Sequence, residues 1–344
     1  MKVYVTGVCG QLGHDVMNEL ARRGHAGIGS DLASTYSGAQ DGSAVCAMPY
    51  ERLDITDAEA VRESLLRAQP DAVIHCAAWT AVDAAEETEN RDKVRAINAG
   101  GTRHIAQICR ELGCKLMYIS TDYVFDGQGE DPWQPDCKDF APLNVYGQTK
   151  LEGELAVREL LEKYFIVRIA WVFGLSGKNF IRTMLRLGQI HSTLRVVSDQ
   201  VGTPTYTLDL ARLLVDMIET DKYGTYHATN EGGYISWYDF ACEIFRQAGS
   251  PQGETRVSEW SAGEVRALSR AIRDFRLVLS GVRGFEAAQV TAGGISASEF
   301  DPATMESRLI PGLYATGELL DADGDCGGYN LLFAFATGLL AGQG

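Results

Sequence analysis

The stretch KVYVTGVCGQLG, residues 2 to 13, constrains this chain more than any other. A short apolar, β-branched run ends in three glycines at every third position, and helical spacing of apolar residues begins directly after them. That order suits a strand turning sharply into a helix. Gly7 allows the tight turn, Gly10 lets a pyrophosphate approach the backbone, and Gly13 lets the helix pack closely on the sheet. The helix start at Gln11 and Leu12 then presents free N–H groups to the phosphates. Asp31 closes the next strand-like run, AGIGSD, roughly 20 residues on. A carboxylate there can hold the adenosine ribose hydroxyls and repels a 2′-phosphate, which favours NADH over NADPH.

The first 170 residues alternate strand-like runs (KVYVTG, AGIGSD, YERLDI, DAVIHCAA, CKLMYIST, FIVRIAWVFG) with helical-period stretches at 11–23, 57–68, 84–112 and 146–162. This alternation predicts a Rossmann-like, doubly wound α/β domain with a parallel sheet over 1–170. A small mixed α/β substrate-side lobe is expected over 171–249, with Ser236 capping its last helix and Gly249 ending it. The polar stretch SPQGETRVSEWSAG, residues 250–263, reads as a linker, and 264–344 as a carboxyl-terminal α+β segment of different character.

Composition narrows the ligands. The net charge is −15, and no block of five or more Lys and Arg stands anywhere, so neither nucleic acid nor an anionic membrane is an expected partner. No run of about 18 apolar residues occurs, and the chain enters its first strand without a signal-like leader. Eight cysteines are scattered without a C-x-x-C pair, the pattern of buried thiols in a reducing cytoplasm. A cytoplasmic protein acting on small molecules is expected.

Three residues carry candidate chemistry. Tyr146 and Lys150 stand at i and i+4, on one face of a helix. An ammonium beside a phenol lowers its pKa, so Tyr146 could exchange a proton with a carbonyl or hydroxyl near neutral pH. Thr121, at the end of the fifth strand, could hydrogen-bond the same oxygen. Asn98 is a polar helper in the long helix. Asp54 and Ile55, ending the third strand, could meet adenine, while Ala77 and Ala78 supply small side chains where the cofactor backbone must pass.

VTGVCGQLG, AAWTAVDAAE, INAGGTRHIA, STDYVFDG, YGQTK, RIAWVFG and DQVGTPT follow one another over residues 1 to about 249. With these stretches the chain resembles the extended short-chain dehydrogenase/reductases and, within them, the dTDP-4-dehydrorhamnose reductase family. The resemblance implies a catalytic triad of Thr121, Tyr146 and Lys150, with Tyr146 giving a proton as hydride from NADPH or NADH adds to C4 of a dTDP-keto-sugar. It further implies that Lys150 holds the nicotinamide ribose, and that Thr80 serves cofactor and sugar. Val82, Asp83, Asp122, Tyr123, Trp171, Gln200 and Thr203 are implied around the sugar nucleotide. A homodimer is the candidate assembly.

Residues 254–344 depart from that family, whose chains continue with an Arg-Pro segment that helps close the sugar site. SGVRGFEAAQVTAGG, DPATMESRLIPGLYATGE and LLDADGDCGGYNLLFAFATGLLAG resemble instead the carboxyl-terminal part of aminoacetone-oxidase-like, FAD-dependent flavoproteins. FAD needs a glycine-rich turn of its own, and the one present belongs to the reductase, so FAD is not expected. DADGD does not make an EF-hand loop, because Cys326 replaces the Gly at its sixth position and Leu332 the Glu at its twelfth; no metal is expected. The alternative functions are a non-catalytic nucleotide-binding or regulatory protein with a disrupted sugar site, and a flavin-dependent oxidoreductase fragment fused to a reductase.

Overall fold

Strand β1 (Lys2–Thr6) is apolar on both faces and sits inside the sheet. Val3 and Val5 point into one core, built with α1 (Gln11–Arg22) and α8 (Thr207–Ile218); Tyr4 points into the other. The second core is formed with α2 (Ala58–Ala68), α5 (Thr102–Leu112) and α6 (Val145–Leu160). Each such buried side chain contributes about 1.5–3 kcal/mol, so a one-residue slip of β1 would be heavily penalised. In a computed structural model, residues 1–36, 47–128, 131–175, 177–191, 193–248, 295–311, 313–316, 320–321, 336–337 and 340–341 are described.

Seven parallel strands run in the order β10-β6-β5-β4-β1-β2-β3. They comprise β1, β2 (Ala26–Asp31), β3 (Tyr50–Arg52), β4 (Ala72–His75), β5 (Lys115–Thr121), β6 (Tyr164–Ile169) and β10 (Gly224–His227). The expected doubly wound α/β domain is therefore present. The order of successive strands reverses between β1 and β4, the crevice where such sheets take ligands. β7 (Val172–Phe173) pairs with β9 (Thr205–Tyr206), and β8 (Val201–Gly202) with β11 (Ile235–Ser236). Helices α7 (Phe180–Ile190) and α9 (Trp237–Gln247) enclose a third apolar cluster around Phe173, Met184 and Phe240.

Two expected elements change. The helix expected over 84–112 is broken into α3 (Val82–Ala85), a turn, α4 (Arg91–Arg95), a π-helical stretch Ala96–Gly101 and α5. The small residues of AINAGG permit the wider turn, and Gly101 lies so close to Ile55 that a Cβ would come within 2.7 Å of its side chain. FIVRIAWVFG is cut into β6 and β7 at Trp171, whose φ of 49° is left-handed. Ser236 does cap α9, in a reciprocal capping box with Asp239. Gly249 and the expected linker 250–263 lie outside the described residues.

The chain divides into two units, Met1–Leu277 and Val278–Gly344. In the second, β12 (Ile295–Ser296) pairs in parallel with β13 (Leu320–Asp321), and Phe300, Met305, Ala315 and Leu320 make a small core. Leu309 and Ile310 are 69% and 57% exposed. Of DADGDCGG only Asp321 falls among the described residues, and most of LLFAFATGLLAG falls outside them. Among the described residues no helix is long and apolar enough to cross a membrane.

Candidate active site

The glycine-rich turn forms a cradle with no room for side chains. A Cβ on Gly7, whose φ is 75°, would lie 2.6 Å from the Ala77 nitrogen, and one on Gly13 would lie 2.3 Å from the Gly7 oxygen. Around Gly10 a Cβ would meet nothing nearer than the Gly7 oxygen at 3.2 Å. Gly10 caps α1 without a side-chain bond, and no acidic residue occupies the first turn. The helix start at Gln11 and Leu12 thus keeps its donors and its positive end for an anion. These features fit a dinucleotide pyrophosphate at the β1/β4 crevice.

Around that cradle the sequence-derived positions divide. Asp31 bends back to the turn: its Oδ2 accepts the Cys9 N–H at 2.9 Å and its Oδ1 the Leu32 N–H at 2.7 Å. Burial and the Asp31 charge push the Cys9 thiol up. Ala77 abuts Gly7, its N–H donating to Thr6 Oγ1 at 3.2 Å. The Gln11 side chain is taken up by the protein, donating to the Val172 oxygen at 3.3 Å and accepting from Asn179 at 3.4 Å. The Asp54 carboxylate turns to Thr56, accepting its N–H at 2.9 Å and its hydroxyl at 2.7 Å, while Ile55 is buried against Gly101. Asn98 is buried and ties the loop after β4 to α6: its Oδ1 accepts the Trp79 N–H at 2.8 Å, and its amide donates to Thr149 Oγ1 at 3.1 Å.

Thr121, Tyr146 and Lys150 converge beside this crevice, at the carboxyl end of β5 and the first turns of α6. Asn144 caps α6 by accepting the Gly147 N–H at 2.7 Å, and Glu86 accepts the Val145 N–H at 2.6 Å. Gly147 is required, since a Cβ there would sit 2.2 Å from the Tyr123 oxygen. Thr121 Oγ1 donates to Asp122 Oδ1 at 2.9 Å, accepts the Tyr123 N–H at 3.2 Å, and lies near enough to the Tyr146 hydroxyl to favour its ionised form. The rings of Tyr123 and Tyr146 meet edge-on, 5.8 Å apart.

The electrostatics correct one expectation. Lys150 does not pull the Tyr146 phenol down. Burial and the Asp122 carboxylate push that phenol well up, with only the Thr121 hydrogen bond opposing them. Lys150 Nζ is turned away to the Ile119 carbonyl, 2.6 Å off, and to the Tyr118 ring, whose centroid lies 4.2 Å from it. Burial lowers Lys150 to about 7, with Glu154 and Cys76 pulling the other way. Burial likewise raises the Asp122 carboxyl, against hydrogen bonds from Thr121 and the backbone.

The positions implied around a sugar nucleotide are more scattered. Thr80 and Asp83 are exposed, and Val82 opens α3. Trp171 stacks on Trp237 at 3.6 Å and packs over Gly202, where a Cβ would lie 2.8 Å from the indole. Gln200 accepts the Trp237 N–H at 3.4 Å through its carbonyl, and Thr203 is half-buried between β8 and β9. Ser120, Glu154 and Arg168 escaped the sequence reading although all three are buried next to the triad. Their signal was an arginine inside the otherwise apolar run FIVRIA, since strands covered on both faces read as continuous apolar stretches. Among the described residues no group of three or more His, Cys, Asp or Glu is placed to hold a metal ion.

Parallel sheet, glycine cradle and switch-point crevice together define a Rossmann-type NAD(P)-dependent oxidoreductase of the short-chain dehydrogenase/reductase class. Residues 1–273 match the family model described as the RmlD substrate binding domain, and the chain belongs to that family. The match runs past residue 249, where the resemblance was expected to end. A dTDP-4-dehydrorhamnose reductase of Streptomyces griseus is 42% identical over 258 residues, covering 73% of this chain and 78% of that protein. The crystal structure of a dTDP-4-dehydrorhamnose reductase from Clostridium acetobutylicum is 43% identical with a TM-score of 0.64, covering 72% of this chain and 81% of that one. A Bacillus anthracis dTDP-4-dehydrorhamnose reductase, solved in complex with NADP, is 40% identical at the same TM-score of 0.64 and the same coverage, 72% and 81%.

Proposed function

We propose that this chain reduces the C4 ketone of dTDP-4-dehydro-L-rhamnose to dTDP-L-rhamnose, using NADPH or NADH. The observation that carries this reading is the convergence of Thr121, Tyr146 and Lys150 on one side of a glycine cradle shaped for a pyrophosphate. The turn Gly7–Gly13 and Asp31 would hold a nicotinamide cofactor, which would supply the hydride. Tyr146, kept protonated by burial, gives its phenolic proton to the C4 oxygen, and Thr121 orients that phenol through its hydroxyl. Lys150, one helical turn further along α6, would hold the nicotinamide ribose. Asp122, Tyr123, Thr80, Val82, Asp83, Trp171, Gln200 and Thr203 line the sugar-nucleotide side in this reading, with 171–249 as the substrate lobe. A homodimer is the assembly in this reading, which light scattering would test. Cytoplasmic location follows from the proposed pathway chemistry.

Mixing the purified chain with the keto-sugar nucleotide and NADPH tests the reading: NADPH should be consumed and dTDP-L-rhamnose should form. Calorimetry showing NADPH binding with no turnover would contradict it.

A further inference from the structure

One turn beyond Lys150 on α6, Glu154 is fully buried, and so is its partner Arg168 on β6. Two bonds join them, from Arg168 Nε to Oε1 at 2.9 Å and from Nη2 to Oε2 at 2.8 Å. Ser120 Oγ donates a third, to Oε1 at 2.7 Å. Three elements therefore meet at one carboxylate. Ser120 directly precedes Thr121 on β5, and Glu154 follows Tyr146 and Lys150 at helical spacing on the same face of α6. The Arg168 guanidinium also lies over the rings of Phe125 and Phe140, at 4.9 and 5.4 Å, and donates to the Pro135 oxygen at 3.4 Å. Stability alone does not call for such a pair, because apolar side chains of similar volume commonly serve a core as well or better.

We infer that Glu154, held by Arg168 and Ser120, is a positioning residue that sets the Thr121 end of β5 against the Tyr146 and Lys150 face of α6 and supplies the counter-charge for the Lys150 ammonium. The inference rests on the catalytic reading of Thr121, Tyr146 and Lys150 given above. His75 and Cys76 face Lys150 from the end of β4, Tyr118 from β5, and Tyr146 and Glu154 from its own helix. Burial holds His75 neutral and pushes the Cys76 thiol up to about 12, which leaves Glu154 as the one carboxylate in this set. Arg158, 3.5 Å away, Arg168 and His227 surround Glu154 on its other sides. Without the carboxylate charge, Lys150 loses its ammonium at lower pH.

The test compares wild type, Glu154→Gln, Glu154→Gln/Arg168→Leu, Ser120→Ala and Tyr146→Phe. Turnover is followed as a function of pH, and NADPH binding to each protein by fluorescence over the same range. In Glu154→Gln, kcat should fall about tenfold with KM within about twofold. The alkaline limbs of turnover and of NADPH binding should both move down by about one pH unit. Since the single variant leaves Arg168 buried and unpaired, the double variant carries the test if the single one does not fold, and its limbs should be displaced alike. Ser120→Ala should lower kcat about threefold without moving either limb. Wild-type limbs in a folded double variant, or an unchanged kcat in Ser120→Ala, would overturn the inference. Full activity in Tyr146→Phe would instead overturn the catalytic reading beneath it.

Discussion

Tyr146 and His75 show how burial, more than neighbouring charge, sets the behaviour of single residues in this protein. The sequence spacing placed Tyr146 and Lys150 on one face correctly, but spacing could not reveal that Lys150 Nζ bonds the Ile119 carbonyl while the phenol is desolvated beside Asp122. Tyr146→Phe should cut kcat by at least about 100-fold with little change in KM, a range typical of losing a positioned general acid. His75 lies between Thr6 Oγ1, 2.7 Å from Nδ1, and Thr102 Oγ1, 3.1 Å from Nε2, and burial lowers it to about 3. Its ordinary value is 6.5, so between that pH and about 3 the unfolded chain binds a proton that the folded one refuses. Stability is therefore lost as pH falls through this window, with a slope of up to about 1.4 kcal/mol per pH unit. Urea unfolding at several pH values should show a shallower acid slope for His75→Gln than for wild type; equal slopes would contradict the assignment.

At the scale of elements, what repeats with a clear period was legible and what depends on a tertiary partner was not. The alternation of Val3, Tyr4 and Val5 announces a strand buried on both faces, and helices α1, α2 and α6 lie close to their expected spans. The π-helical stretch at 96–101 was not legible, because it depends on Ile55 packing against Gly101 and on Asn98 reaching Trp79. Nor was the break at Trp171, where the left-handed φ and the stack on Trp237 are tertiary facts. Asp54 Oδ1 closes a local turn with Thr56, a contact that its place after β3 did not announce. Local capping chemistry was readable: Ser236 accepts the Asp239 N–H at 3.0 Å and donates to Asp239 Oδ2 at 2.6 Å. Ser236→Ala should cost about 1 kcal/mol, seen as a lower Tm in calorimetry, with the fold unchanged by circular dichroism.

Across the whole molecule, the reductase part and the remainder differ in how far residues explain structure. Among the described residues, 1–248 carry nearly all the buried cores, including both faces of the seven-stranded sheet. Beyond Val278 the described residues hold one small cluster and leave Leu309, Ile310 and Leu313 exposed, an apolar surface of the kind that marks an interface or a missing partner. A chain ending at Gly249, assayed beside the full chain, should show whether the carboxyl segment contributes to the sugar site: equal KM for the sugar nucleotide means that it does not. The central claim is that the chain reduces a keto-sugar nucleotide with a nicotinamide cofactor at the β1/β4 crevice, Tyr146 giving the proton. Its most direct test is NADPH consumption by the full chain with dTDP-4-dehydro-L-rhamnose, run beside Tyr146→Phe. The account predicts one dTDP-L-rhamnose formed per NADPH consumed and loss of nearly all turnover in the variant, whereas cofactor binding without turnover, or a variant as fast as wild type, would contradict it.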